Sequence, residues 1–205
     1  MEPIQEGNLK FEIYQELGEC YTHTGDIKKA VEHFTEAAGI DPTSERPLVG
    51  LGIAVLQEHR YSEAHSYFNK ALDLNRNSDK ALCGIGMALA GIGDSEEALG
   101  MFRKALDIDP GNITALMGLV QSTYSLELLG IAEKYLKGYL ALYPGNVKIL
   151  YCLAGTCFKQ RKYDECRKLL ETIFIFEPEH HDARELLLQI DNNQKGCSYG
   201  HCQNS

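Results

Sequence analysis

Apolar and polar positions follow a helical period through most of the chain. In residues 79–112, Leu82, Ile85, Gly86 and Leu89 fall at i, i+3, i+4 and i+7 and mark one face of a helix. Ala98, Phe102, Ala105 and Leu106 mark the inner face of a second. The "GIGDSEE" between them reads as a turn. Gly93 ends the first helix in the left-handed conformation, and Asp94 or Ser95 caps the next, with Glu96 and Glu97 at its positive end. Pro110 closes the pair, because it disfavours helix at Asp109 and cannot itself continue one. A hairpin of two short helices leaves its apolar faces in water unless neighbours stack on them.

Those neighbours are in the same chain. "LGECYTHTGDIKKAVEHFTEAAGIDP" aligns without gaps to "IGMALAGIGDSEEALGMFRKALDIDP" at a shift of 68 residues, twice 34. Frames of 34 beginning at Phe11 cover 11–44, 45–78, 79–112, 113–146 and 147–180 without insertion. The seventh column reads Leu17, Leu51, Ile85, Leu119 and Leu153, and the eighth Gly18, Gly52, Gly86, Val120 and Ala154. The twentieth reads Ala30, Ala64, Ala98, Ala132 and Cys166. The twenty-fourth reads Phe34, Phe68, Phe102, Leu136 and Leu170. The thirty-second holds Pro42, Pro110, Pro144 and Pro178, with Arg76 in the second frame. Residues 181–190 continue the pattern as one further helix, a cap over the last repeat. Residues 191–205 lack periodicity and read as a mobile tail, and 1–10 as a frayed end or an added helix.

Tyr14, Leu17, Gly18, Tyr21, Ala30, Phe34, Ala37 and Pro42 of the first frame carry a pattern that resembles the tetratricopeptide repeat family. The resemblance covers about five-sixths of the chain. It implies an all-α fold, a right-handed α-solenoid of five tandem helix-turn-helix repeats with a C-terminal capping helix, forming one superhelical domain over 11–190. The fourth frame departs most: Glu127 replaces the turn glycine seen at Gly25 and Gly93, and Tyr139 stands where the family has Ala. His59 stands at the same turn in the second frame.

The resemblance also implies that the first helices of the hairpins line a groove, with partners lying against positions 2, 5, 9, 12 and 13 of each frame. Chaperone-binding members hold a C-terminal carboxylate with Lys and Asn at positions 5 and 9 of the first repeat. Here these are Gln15 and Glu19, which do not support such a clamp. The groove positions further on are apolar: Val49, Ile53, Leu56, Cys83, Met87, Met117, Tyr124, Tyr151 and Phe158, with Gln121 among them and Lys80 at the edge. An apolar strip of that size suits an amphipathic helix or extended apolar peptide of a partner protein. Lys80, Lys148 and Lys159 are placed to meet acidic groups on it. Close superhelical stacking would instead bury many of these side chains as core.

Composition narrows the alternatives. With 20 basic and 29 acidic side chains, a formal charge of −9 repels phosphate backbones and argues against nucleic acid. No stretch reaches the length of a membrane span, so no direct membrane insertion is expected. No export signal is visible, and seven scattered cysteines fit free thiols in a reducing, cytoplasmic setting. Cys157 and Cys166 fall in core columns, and Cys83 is the thiol expected to face the groove, without a cation to activate it. "CSYGHC", with Cys197, His201 and Cys202, lacks the paired Cys-x₂-Cys spacing of a zinc site. No nucleophile and base stand together, so no enzyme, cofactor or metal is expected. The chain thus reads as an interaction scaffold. Two alternatives remain open: a self-assembling homo-oligomer, in the manner of the family member that coats bacterial magnetosomes, and a non-catalytic subunit that recruits substrates to a larger enzyme.

Overall fold

The computed structural model describes residues 3–199, with side chains from 7 to 193. Eleven α-helices and no strand occur among the described residues. They are α1 (Pro3–Thr24), α2 (Ile27–Ile40), α3 (Arg46–Gln57), α4 (Tyr61–Leu74), α5 (Asp79–Gly91), α6 (Ser95–Ile108), α7 (Ile113–Ser125), α8 (Leu129–Leu142), α9 (Val147–Lys159), α10 (Tyr163–Phe176) and α11 (His181–Tyr199). Each frame of 34 holds two of them, in the arrangement of an α-solenoid of tandem repeats. Residues 3–10 prolong α1 rather than forming a separate element. The final helix outruns the expected cap: α11 extends through 191–199, and Arg167 holds Asp191 at 2.5 Å just beyond position 190. The remainder of the expected tail lies outside the described residues.

The chain divides into two compact units, 1–126 and 127–205. The division falls in the turn of the fourth frame, the frame that departs most from its neighbours.

Five hairpin turns share one backbone device. Position 15 of every frame has positive φ: Gly25 at 81°, His59 at 58°, Gly93 at 92°, Glu127 at 59° and Arg161 at 61°. The reversal needs a left-handed residue, which glycine adopts freely and L side chains only against steric resistance. Asp26 and Asp94 follow the two glycines and cap the next helix, accepting from the amides of Lys29 and Glu97 at 3.3 and 3.1 Å. Asp94, not Ser95, is therefore the cap. Arg60, Leu128 and Lys162 follow the other three residues and provide no side-chain cap. At the junctions between frames, Ser78, Asn112 and Asn146 cap α5, α7 and α9.

The first unit is built on three phenylalanines. Phe34, Phe68 and Phe102 are fully buried, each burial contributing roughly 2–3 kcal/mol of apolar transfer. Every ring lies between two glycines. A Cβ at Gly18 would come within 2.6 Å of Phe34, and one at Gly50 within 2.4 Å of the same ring. Gly52 and Gly84 flank Phe68 at 2.6 and 2.3 Å, and Gly86 and Gly118 flank Phe102 at 2.7 and 2.3 Å. One glycine of each pair belongs to the ring's own hairpin and the other to the next. The glycine columns therefore serve aromatic packing within and between repeats.

In the second unit Leu136 and Leu170 are fully buried in the phenylalanine column. Of the glycine columns, the fourth frame keeps Gly118 and holds Val120, and the fifth holds Cys152 and Ala154. Cys166 is buried and its thiol donates to the Ala154 carbonyl at 3.1 Å. Burial pushes the thiols of Cys157 and Cys166 up to about 11, as suits core residues.

A charged cluster ties α8 to α10. Glu133 accepts from Lys137 at 2.7 Å and from Lys162 at 2.6 Å, and Lys137 also meets Glu165 at 2.6 Å. The hydrogen bonds from Lys137 and then Lys162 hold the Glu133 carboxyl down at about 2. A lowered folded-state value stabilises above the ordinary carboxylate range and is lost as pH falls through the folded value. Glu133→Gln should therefore cost about 1–2 kcal/mol at pH 7, allowing for screening of half-exposed lysines. Chemical denaturation from pH 7 down to pH 2 checks this: the deficit should shrink between about pH 4.5 and pH 2.

Candidate functional site

In the first unit α1, α3, α5 and α7, the first helices of their hairpins, pack side by side in sequence order. Two hollows open along them. One, of about 830 Å³, is mainly apolar and is lined by Leu56, Tyr61, Met87, Met117, Gln121 and Tyr124, among others. The other, of about 650 Å³, is lined mostly by polar residues, among them Gln15, Glu19, Arg46, Asp79, Lys80 and Asn112, although apolar atoms form much of its surface. Met87 and Thr114 belong to both.

The residues singled out from the sequence separate into four groups. Leu56, Met117, Gln121 and Tyr124 border the apolar hollow. Ile53 and Lys80 are exposed at the polar one, and Met87 is exposed where the two adjoin. Val49 and Cys83 also line the polar hollow but are buried, so they form its floor rather than a surface open to a partner. Their neighbours Gly50 and Gly84 let α3 and α5 settle on phenylalanine rings, and the short side chains beside them go under with the backbone. Met117, beside Gly118, is longer and stays half-buried. Tyr151 and Phe158 belong to the second unit, half-buried against His180 and Tyr163 with ring centroids 5.3 and 5.7 Å apart. The Tyr151 phenol is pushed up by burial first and by Asp182 and Glu185 next. Within the first unit the expected apolar strip loses Val49 and Cys83 to the core and keeps Ile53, Leu56, Met87, Met117 and Tyr124 exposed or half-buried.

Two features were missed. Tyr61 stands on α4, a second helix of a hairpin, yet its ring borders the apolar hollow. It does so because Gly91 has no side chain, and a Cβ there would lie 2.2 Å from the ring. The other is the polar hollow itself, whose residues come partly from frame ends. Asn75 donates to Glu45 at 2.8 Å, and Asn112 caps α7 while donating to Asp79 at 2.7 Å. The asparagines at frame ends were a visible signal for capping, but not for a hollow.

Burial, then the charge of Asp79, pushes the Cys83 thiol up to about 12, which leaves it protonated and unreactive at neutral pH. Among the described residues no group of three His, Cys, Asp or Glu is placed to hold a metal ion. The His201 and Cys202 of the C-terminal motif lie outside the described residues, as does the Cys197 side chain. No helix among the described residues is long and apolar enough to cross a membrane.

Residues 11–44 match a family model described as a tetratricopeptide repeat, the span of the first frame, and 49–113 match a second model of that description. Residues 91–173 match the model for subunit 3 of the anaphase-promoting complex, or cyclosome. None of the curated proteins matches the sequence. Among solved structures the chain is similar to pilF of Pseudomonas aeruginosa, at 18% identity over 95% of each chain and a TM-score of 0.72. It is also similar to YrrB, described as a TPR protein with an unusual peptide-binding site: 17% identity, 87% of this chain and 90% of that one, TM-score 0.63. A third is the first TPR of Spaghetti (RPAP3) bound to the HSP90 peptide SRMEEVD: 25% identity, 58% of this chain and 97% of that one, TM-score 0.55.

Proposed function

The chain belongs to the tetratricopeptide repeat family, and from that premise we propose that its first unit binds a partner protein by taking an apolar side chain of an extended or helical segment into the hollow beside Met87. A tetratricopeptide solenoid is a protein-interaction scaffold, and its solved relatives include one bound to a peptide. The observation that carries the finer reading is the position of Met87. It is 39% exposed at the edge of a hollow of about 830 Å³ whose other apolar walls are buried or half-buried. Methionine adapts its shape to what lies on it, and Tyr61 and Tyr124 provide stiffer walls.

The reading is tested by selecting random displayed peptides on the purified protein and titrating the winners against variants. Selected peptides should share at least one large apolar residue. Met87→Glu and Tyr124→Glu should each weaken them tenfold or more, since a carboxylate must lose water beneath an apolar side chain. Both variants should keep the helical circular dichroism of the parent. Selected peptides that bind both variants as they bind the parent would place the site elsewhere. Light scattering over a concentration series separates partner binding from a second copy of the chain seated on the same face.

A further inference from the structure

The polar hollow adjoining the apolar one has features that packing alone does not account for. Gln15 on α1 is only 3% exposed, and its Nε2 donates to Glu19 Oε1 at 3.0 Å. Its Oε1 is buried without a hydrogen-bond partner, and the residue lines the hollow. Turning the amide over would set two acceptors against each other at Glu19, so the unmet atom is the carbonyl oxygen. A buried acceptor in this state is stabilised by an arriving donor.

The charges around it point the same way. Glu19, Glu45, Asp79 and Asp109 all line this hollow. Each carboxylate is held by a neutral N–H donor, which orients it and leaves its charge in place. The donors are Gln15 to Glu19 at 3.0 Å, Asn75 to Glu45 at 2.8 Å, Asn112 to Asp79 at 2.7 Å and the Gly111 amide to Asp109 at 2.9 Å. Of the two basic groups, Arg46 is engaged by Glu12 through two hydrogen bonds of 2.6 and 3.0 Å. Arg46 also acts at longer range on Glu19 and Glu45, so two cations, one of them already paired, face four carboxylates. The imbalance reaches beyond the hollow: residues 1–126 carry 19 acidic and 10 basic side chains, whereas 127–205 carry ten of each. The whole formal charge of −9 therefore sits in the unit that holds both hollows, where it draws cations in and turns anions away.

We propose that the polar hollow is a cation subsite, taking a lysine or arginine side chain of the same partner segment whose apolar side chain enters beside Met87. The proposal rests on the peptide-binding reading above and sharpens it: the partner segment is basic and amphipathic, with its cationic end toward α1 and its apolar end toward α7. Gln15 Oε1 accepts from the incoming ammonium or guanidinium, and Glu19, exposed and hydrogen-bonded to Gln15, supplies an opposing charge. The Gln15 and Glu19 pair thus selects for positive charge at this end of the groove, and the expectation that lysines of this chain would meet acidic groups on the partner is reversed there.

The test uses three fluorescein-labelled, acetylated 12-residue peptides with one Phe and one Leu four residues apart. They differ only at two positions flanking that pair, which are both Lys, both Gln or both Glu. In 50 mM salt the Lys peptide should bind the full chain about tenfold more tightly than the Gln peptide, and the Glu peptide more weakly than either. The Lys preference should narrow to about threefold in 500 mM salt. Glu19→Lys should abolish that preference, and Gln15→Met should reduce it. Met87→Glu should weaken all three peptides, the Glu peptide most. Equal binding of the Lys and Gln peptides to the parent, or a preference that survives Glu19→Lys, would overturn the cation subsite while leaving the apolar hollow standing. Failure of all three peptides to bind the parent would overturn both readings together.

Discussion

Adding a single methyl group at Gly84 is expected to destabilise the first unit by about 1–3 kcal/mol, although replacing a mid-helix glycine by alanine ordinarily stabilises by up to about 1 kcal/mol. A Cβ there would lie 2.3 Å from Phe68 Cζ and 2.4 Å from Cε1. The ring cannot retreat, because it is fully buried and its other side is closed by Gly52, where a Cβ would lie 2.6 Å away. α4 and α5 must therefore separate, and the strain passes into a contact between successive repeats. The compensating change is already present in the chain. The last two frames place Leu136 and Leu170 in the ring column, and of their four positions in the glycine columns only Gly118 remains glycine. Phe68→Leu alone leaves a cavity and should cost about 1–2 kcal/mol. Combined with Gly84→Ala it should cost clearly less than the sum of the two, with a coupling above about 1 kcal/mol. Urea unfolding of the four proteins measures this directly, and additive losses would mean that the ring and the glycine do not share one space.

Restoring the turn device where it is missing should raise stability by a comparable amount. His59, Glu127 and Arg161 hold φ of 58–61°, the left-handed position at which an L side chain is least strained. Glycine at each should add about 0.5–1 kcal/mol, the relief of steric strain being partly cancelled by glycine's larger freedom when unfolded. Leu128→Asp, copying Asp26 and Asp94, should add about 1 kcal/mol by capping α8, which now starts without a side-chain acceptor. The four changes together should raise the unfolding free energy by about 2.5–4 kcal/mol. Gly93→Val is the converse experiment. At φ 92° a β-branched side chain is severely crowded, and a loss of about 2 kcal/mol or more is expected. Gains confined to the capping substitution would show that the turn carries no strain at these three residues.

The two experiments probe different couplings. Gly84 meets Phe68 across two repeats, so its replacement reports on stacking along the first unit. The turn residues act within one hairpin, and their effects should stay local. Val120, Ala154 and Cys152 already show in the sequence that ring size and flank size vary together, but which glycine faces which ring became visible only in three dimensions. Gly84 illustrates this. It shares a column with Gly50 and Gly118 without any evident reason in sequence, and the reason is a phenylalanine from the preceding hairpin.

The candidate site was partly legible in the same way. Family positions led to Leu56, Met87, Met117, Gln121 and Tyr124, which do border one hollow. The same reasoning led to Val49 and Cys83, which are buried, because exposure along a helix depends on how far its neighbours let it settle. It gave no warning of Tyr61, since a side chain on a second helix reaches the first-helix face only across a glycine. Nor did it find the cation-selective character of Gln15 and Glu19. In sequence these residues only failed to match a known clamp. In space Gln15 is a buried acceptor left open beside carboxylates from three other segments.

The amino-acid sequence by itself determined the period of 34, the number of hairpins, their turns and the concentration of negative charge in the first 126 residues. These are local or additive properties: a helical face follows from spacing, a turn from a few residues, and a net charge from counting. The tertiary structure alone decided which apolar positions stay open, which rings the glycines receive, and where the chain divides into two compact units. Those outcomes depend on the distances between helices far apart in sequence. In this chain such distances are governed in part by single missing side chains, whose effect is felt on a neighbouring element rather than on their own.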